Sequence, residues 1–520
     1  MAANPRGPTL DGMQLPNPVL AAARLARSVS RLNLATFRAT ARHGRYAAGL
    51  SATAAAHTAR RALKDVPAYG DFVAAHGGPA RGGSPGDWLT GLPIADKVSY
   101  IDAYPLAARC RYGRLPARDV ELDESSGSSG RPYTWVRSAA ELRDVHRTMA
   151  LLSRHLLADD TPPGAPVVTL NGFSMGAWAT GTNVSHALRR IGAVKSTGPD
   201  PERMLTTLQL LGPGNTWVVT GYPPFLRTLL DAAAARGLDL SAYRMYGFVG
   251  GEGMSEALRT RLETTFRAVY SAYGASDLDI GVAAEMPLSV WLRQQAAARP
   301  ELAEALFGTR ERLPMVFQYD PLDYYVETVA GELVVTGNRR SVLSPRIRYN
   351  VHDRGGALPF DLVLEICRDF GLDPALGSLV RSAAPVLPLP FLYVHGRSDS
   401  TVSVHGANIY PEDVEWALGE CVDADLVVGF ALDVCEDARG VVRPLVHVEC
   451  RDHTAPWLAE RLSVAVRDRL LANNADFRTA VAEDPHTGQV VVRPHPVGAG
   501  PFAANTHRIK RRYVLTGGPR

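Results

Sequence analysis

The sequence predicts an α/β protein, with a large multilayer α/β domain followed by a small α+β domain. Three observations point there. Between residues 95 and 340, short apolar runs alternate with amphipathic helical stretches, the pattern of strands and crossover helices stacked in layers. A proline-dense stretch, APVLPLP (384–390), ends that alternation, and a shorter set of strand and helix signals follows it. The chain has 520 residues, 46% hydrophobic and 21% charged, which suits two or more packed domains and argues against disorder.

In chain order, residues 1–65 read as a helical segment packed on the large domain, Ala- and Arg-rich from Ala21 to Ala62. A transit peptide is the competing reading, but an apolar signal core with a cleavage site is not seen, so leading helices of a cytoplasmic protein are expected. The large domain is expected over 66–397. Its strand signals are PVVTL (166–170), TWVVTG (216–221), YRMYGFVGG (243–251) and AVYSAYG (268–274). PFLRTLLDAAAARG (224–237) and MSEALRTRLETTF (254–266) read as helices between them, and GELVVTG (331–337) reads as a hairpin strand. Ligands in such folds gather at the carboxyl ends of the strands. The small lid-like domain is expected over 398–520. There, DLVVGFALDV and VVRPLVHVEC flank a turn at EDARG, WLAERLSVAVRDRLLA (457–472) is an amphipathic helix, and VVVRPHP (490–496) reads as a further strand.

The net charge of +3 gives no basis for nucleic acid or an anionic membrane as the main partner. No run approaches the roughly 18 apolar residues of a spanning helix. The cysteines, Cys110, Cys367, Cys421, Cys435 and Cys450, are odd in number and form no CxxC pair, against a disulfide framework or a zinc site. Lysine occurs only at Lys64, Lys97, Lys195 and Lys510. Arginine does not replace a mobile ammonium in a site, so candidates for that role are few.

The stretch ESSGSSGRPYTW (124–135) has the glycines and hydroxyls of an anion-binding loop, without the GxxxxGK[ST] spacing of common NTPases. It lies between VEL (120–122) and YTWVRS (133–138), both strand-like. Farther on come YGASD (273–277), RYNVHDRG (348–355), GRSDS (396–400) and HGANIYPEDVE (405–415). Singly each is weak. Asp277 and Asp353 alone would read as turn or capping residues, Arg397 as a surface cation and Glu252 as a helix cap. In this order and spacing the set resembles the adenylate-forming ligases, or acyl-CoA synthetase superfamily. The phenylacetate–CoA ligase branch is the most similar, since its serine-rich loop lacks the usual lysine after proline, as here, where Tyr133 follows Pro132. LPIADKVSYIDAYPL (92–106) and GGEGMSEALR (250–259) also look like that branch.

The resemblance implies the adenylate-forming fold, with a mobile small domain, and these roles. Ser125, Ser126, Gly127, Ser128, Ser129 and Gly130 hold the pyrophosphate end of ATP. Glu252, Tyr273 and Gly274 lie along the adenine, Ser276 contacts the α-phosphate, and Asp277 takes the place of the family's usual Glu as Mg²⁺ ligand. Asp353 takes the ribose hydroxyls, Arg397 contacts the nucleotide, Asp399 is the hinge, and Gly406 gives clearance in the second-step channel. Phe173, Met175 and Trp178 are acyl-pocket candidates, with ordinary core packing as the alternative. The family's C-terminal lysine corresponds to the stretch NTHRIKRRYV (505–514). Alignment on Arg511 puts Arg508 at its place, with Lys510 two residues on, and Lys510 is the candidate adenylation cation, a solvated basic tail being the alternative.

The implied function is ATP- and Mg²⁺-dependent activation of a carboxylic acid, an aromatic one, to an acyl-adenylate with release of pyrophosphate, then transfer to CoA. Transfer to an amine or a carrier protein, nitrite-dependent diazotisation of an aryl amine, and a degenerate nucleotide-binding homologue stay open beside it. Expected partners are thus a small carboxylic acid and one of these acceptors, with a homodimer among the assemblies the scaffold allows. Zinc is not expected, since AAEMPLSVW (283–291) carries no cysteine where some relatives have metal ligands.

Overall fold

The computed structural model describes residues 18–30, 33–78, 84–125, 133–158, 160–162, 164–176, 178–310, 313–373, 386–397, 402–410, 413–414, 417–418, 426–437 and 441–502. Its strands, in order, are β1 (Val120–Ser125), β2 (Tyr133–Ser138), β3 (Val167–Asn171), β4 (Ala193–Ser196), β5 (Thr216–Gly221), β6 (Arg244–Gly250), β7 (Ala268–Ala275), β8 (Asp279–Ala284) and β9 (Met315–Tyr319). They continue with β10 (Tyr324–Val329), β11 (Glu332–Gly337), β12 (Tyr349–Leu358), β13 (Phe391–Arg397), β14 (Val402–Val404), β15 (Ala407–Ile409), β16 (Val427–Glu436), β17 (Val442–Cys450) and β18 (Val491–Pro496).

Eleven strands form one sheet in the order β10-β11-β12-β13-β9-β8-β7-β6-β5-β3-β4. The half from β4 to β7 is parallel, and the half from β7 to β10 is antiparallel. Every residue of β5 is buried, as expected of a parallel strand with helices on both faces. The crossover helices Ala179–Leu188, Pro201–Leu211, Pro223–Ala235 and Glu256–Leu262 supply those layers. After β3 the chain runs out to the edge strand β4 and returns to β5 on the other side of β3. That reversal opens a crevice at the carboxyl ends of β3 and β5.

The expected hairpin strand is present, as β11 pairs with β10. β1 pairs with β2 in a separate two-stranded sheet with Ser125 opposite Tyr133. Residues 126–132 of the serine-rich stretch lie outside the described residues. The helices Pro18–Ser30, Leu34–Ala41 and Gly44–Asp65 account for the Ala/Arg-rich start. Buried Arg27 ties the first of them to Asp320 and Asp323 at 2.5 and 3.1 Å.

Residues 402–492 contribute a separate apolar core in which Val404, Val414, Val446, Leu462, Val466 and Phe477 are inaccessible to solvent. It is built on the hairpin β14–β15, the sheet β16-β17-β18 with β18 parallel to β17, and the helices Leu458–Asn473 and Ala475–Glu483. Asn474 caps the second helix by accepting from Phe477 N at 2.9 Å. Its amide also donates to Asn408 O at 2.7 Å, which fixes helix and hairpin as one piece.

Candidate active site

The carboxyl ends of β3, β5, β6 and β7 open into one cavity of about 860 Å³. Its other walls come from β12, β13, the β14–β15 turn, β16 and the helix Ala475–Glu483. Such a volume suits a drug-sized ligand.

At one end stands the YGASD segment. The Tyr273 hydroxyl donates to Asp353 Oδ2 at 2.5 Å, and burial together with the Asp353 charge pushes that phenol well above its ordinary value. The β12–β13 register sets Asp353 opposite Arg397, with Nη1 3.9 Å from Oδ1. Asp277 is buried. Burial pushes its carboxyl up, but Lys97, Arg397 and the Tyr349 hydroxyl outweigh it and hold it below the usual carboxylate value. Tyr349 donates to Asp277 Oδ2 at 3.1 Å, and Lys97 Nζ lies 3.6 Å from the same oxygen. Two buried arginines clamp the backbone here. Arg137 donates to Ser276 O and Arg346 to Asp277 O, each at 2.6 Å, and Arg137 is itself held by Asp123 at 2.7 Å. Ser276 and Gly274 line the cavity, as does Ser125, whose hydroxyl accepts from Trp135 Nε1 at 2.8 Å.

Lys97 is the functional candidate that sequence reasoning missed. It opens a short helical turn, Lys97–Ile101, capped by Asp96, and sits 5.5 Å from the centroid of the Tyr133 ring. Its place in the sequence gives no hint of Asp277 as a neighbour. The scarcity of lysine was the usable signal.

At the other end, Asn171 pins the loop after β3. Its amide nitrogen donates to Gly181 O at 2.8 Å and Ser185 Oγ at 2.7 Å, while Oδ1 accepts from Phe173 N at 3.2 Å and Thr220 Oγ1 at 2.8 Å. Each amide hydrogen and each lone pair thus has a partner. The loop carries Phe173, buried and edge-on to Tyr222 with ring centroids 5.5 Å apart, and leads to Trp178; both line the cavity with Met149, Leu152, Leu156 and Phe248. Met175 departs from the expectation. It is 40% exposed and is not among the lining residues, its sulfur lying instead 3.9 Å from Asn171 Nδ2, on the side of Gly181.

The third wall is the turn of HGANIY. β14 and β15 are joined by the two residues His405 and Gly406, at φ +50° and +80°, the signs of a type I′ hairpin turn. The His405 ring is buried with Nδ1 3.8 Å from Asp484, so the non-glycine residue in the left-handed region is anchored on its own side. Gly406 faces Tyr222. A Cβ on Gly406 or on Gly251 would strike that ring, so the tyrosine lies between two glycines. Burial pushes the Glu252 carboxyl up to about 8, against the pull of the nearby backbone amides of Gly406 and His405. Glu252 Oε1 is shielded from solvent without a hydrogen-bond partner. Beside it Ser174 Oγ donates to Glu483 at 2.6 and 2.9 Å.

The structure thus brings together Ser125, Phe173, Trp178, Glu252, Tyr273, Gly274, Ser276, Asp277, Asp353, Arg397 and Gly406 around one cavity. Ser126, Gly127, Ser128, Ser129, Gly130, Asp399, Arg508 and Lys510 lie outside the described residues. Among the described residues no cluster of three or more His, Cys, Asp or Glu side chains could hold a metal, and no helix is long and apolar enough to cross a membrane.

No protein-family model matches the chain. In sequence it is similar to the phenylacetate-coenzyme A ligase of Aromatoleum evansii, 24% identical over 397 residues, or 73% of this chain and 76% of that protein. It is also similar to the phenylacetate-coenzyme A ligase of Thermus thermophilus, 25% identical over 336 residues, or 64% of this chain and 65% of that protein. In fold it is similar to 2-hydroxyisobutyryl-CoA ligase, solved with 2-HIB-AMP and CoA in the thioesterification state. The TM-score is 0.59 at 15% identity, covering 90% of this chain and 89% of that one. The chain is thus similar in sequence to phenylacetate-coenzyme A ligases and has the fold of an adenylate-forming acyl-CoA ligase.

Proposed function

We propose that this protein activates an aromatic carboxylic acid with ATP as an acyl-adenylate, releasing pyrophosphate, and passes the acyl group to CoA. The observation that carries the reading is the convergence of Tyr273, Asp353 and Arg397 with the Asp277–Lys97 pair in one cavity that continues into an apolar pocket. The large domain over 66–397, with the helical segment 1–65 against it, would supply the adenylation groups, and the small domain over 398–520 the second-step turn.

Asp353 and Arg397 would hold the ribose and phosphate of the nucleotide, with Tyr273 fixing the carboxylate through its 2.5 Å hydrogen bond. Ser125 and Ser126–Gly130 would receive the pyrophosphate end. The attack of one anion on another needs compensating positive charge. Lys97 supports that need from the large domain, and Lys510 is proposed to add to it from the C-terminal stretch. Asp277 suits Mg²⁺, because it is an ionised oxygen donor and Mg²⁺ is commonly held by one or two carboxylates plus substrate phosphates. Bound there, the ion supplies charge neutralisation at the phosphates. The acid's ring would lie near Phe173 and Trp178, with Tyr222 at the junction with the second-step turn.

A second reading has a specific observation behind it. The small-domain side of the cavity is lined by Asp433, Glu436, Asp476 and Glu483, a carboxylate-rich wall that favours a cationic amine acceptor over a polyanionic one.

The test is pyrophosphate release from ATP and Mg²⁺ with a panel of aryl, arylacetic and aliphatic acids, adding CoA or an amine with mass detection of the product. Release that depends on an aryl acid, followed by thioester, is expected. Amide in place of thioester selects the second reading, and no release with any acid contradicts both.

A further inference from the structure

The acyl end of the cavity does not stop at Phe173 and Trp178. It continues as an arm between the helix Ala139–Leu157 and the sheet. Met149, Leu152 and Leu156 line the arm from that helix, at i, i+3 and i+7, the spacing of one helix face. Met149 lies over Gly281 of β8, where an added Cβ would be 3.8 Å from Met149 Cγ, so this face is turned to the sheet. The sheet contributes Phe248 of β6 and Tyr270 of β7, register partners whose ring centroids are 6.3 Å apart. Val184 and Leu188, one turn apart on the helix Ala179–Leu188, line the cavity as well.

The length of the arm follows from which groups pack together. Met149 packs with the apolar cluster of Phe173, Val184 and Leu188, whereas Leu152 and Leu156 pack on the cluster of Phe37, Met286 and Leu387. The lining thus runs from one cluster to the next. Met149 to Leu156 covers two helical turns, about 10 Å along the axis, which is longer than one benzene ring. The arm is also open. Met149, Leu152 and Leu156 are only half-buried, while Ala150, Leu151 and Leu157 of the same helix are 5%, 5% and 3% exposed. Side chains between layers packed at ordinary density are closed off from solvent, so the remaining exposure of this face reports free space. Ser153, 6% exposed, is the one hydroxyl that this helix gives to the lining, so what fits here is mainly apolar.

Resting on the ligase reading above, we infer that the acid carries a second apolar segment beyond its first ring, an alkyl tail or a second ring, and that the arm from Met149 to Leu156 selects for it. The first ring lies at Phe173 and Trp178, and the segment extends from it toward Leu156. Each methylene that leaves water for the arm raises kcat/KM about fourfold, until the arm is full.

The experiment measures kcat/KM for pyrophosphate release by the full chain with ATP and Mg²⁺. The acids are phenylacetic acid, its para-methyl, para-ethyl, para-propyl and para-butyl derivatives, and biphenylacetic acid. The para-butyl acid should exceed phenylacetic acid by about 100-fold. Leu156→Trp fills the arm and should lower that ratio by about tenfold or more, whereas Leu156→Ala opens it and should move the optimum to a longer tail. Thermal melting reports whether each variant folds, and Leu156→Ala decides alone if Leu156→Trp does not. Release that is flat within threefold or falls along the series overturns the inference and leaves the ligase reading standing. A folded variant with the length profile of the unaltered protein does the same. No release with any acid overturns the ligase reading and the inference with it.

Discussion

The two halves of the cavity are held in different ways. On the large-domain side, each reactive group is fixed by buried partners. Arg137 and Arg346 grip the backbone at Ser276 and Asp277, Tyr349 and Lys97 hold the Asp277 carboxylate, and Asn171 uses all its hydrogen-bonding capacity on the acyl-side loop. On the small-domain side, the contacts described across the cavity are of another kind: the hydroxyl–carboxylate pair between Ser174 and Glu483 and the packing of Gly406 on Tyr222. On the proposed function, the difference teaches that the first half of the chemistry is pre-organised, while the second half is assembled by docking of the small domain.

The comparison can be broken at several points. The largest effect is expected from Lys97→Ala, which removes the cation 3.6 Å from Asp277 where the proposed function puts the phosphates. Pyrophosphate release should fall by about 100-fold or more, and Lys97→Arg should restore little, because a planar guanidinium does not reproduce a compact ammonium. Gly406→Ala comes next. Its φ of +80° and the Tyr222 ring leave no room for a methyl group. Thioester formation should drop by about tenfold to 100-fold, with a much smaller effect on pyrophosphate release. Ser174→Ala should be milder. Losing a hydrogen bond to a charged partner costs about 1.5 kcal/mol or somewhat more, so transfer slows by about tenfold, measured against adenylation in the same preparation.

The smallest effect is a pH dependence of docking. Burial raises the carboxyls of both Glu252 and Glu483 in the docked arrangement. A group whose proton affinity is raised by docking favours docking when protonated. The docked state is therefore favoured fully below the ordinary carboxylate value of 4.5 and loses that contribution as pH climbs toward about 8 for Glu252. Fluorescence transfer between labels on the two domains should report a docked fraction that declines from pH 6 to pH 9, and Glu252→Gln should flatten the decline.

Much of the fold was legible because its signals are local. Alternating apolar runs marked β3, β5, β6 and β7, a proline-dense stretch led into β13, and turn residues marked the β16–β17 hairpin. The paired residues Asp353 and Arg397 could be listed from sequence only through a resemblance; their apposition comes from the β12–β13 register. What was not legible is long-range. Lys97 meets Asp277 across many intervening elements, Ser174 meets Glu483, and the eleven-stranded order with its parallel and antiparallel halves leaves no periodicity in the chain. Met175 stands apart from the cavity because the apolar composition of its loop does not report that its sulfur packs toward Asn171 and Gly181.

The central claim is that a carboxylate oxygen attacks the α-phosphorus of ATP in this cavity. An aryl acid labelled with oxygen-18 in its carboxylate, turned over with ATP, Mg²⁺ and the acceptor, tests it most directly. The account predicts AMP carrying one heavy oxygen in its phosphate, since the bond from acyl carbon to that oxygen breaks in the second step. Unlabelled AMP from a reaction that consumes the acid, or ADP with labelled inorganic phosphate, would contradict it.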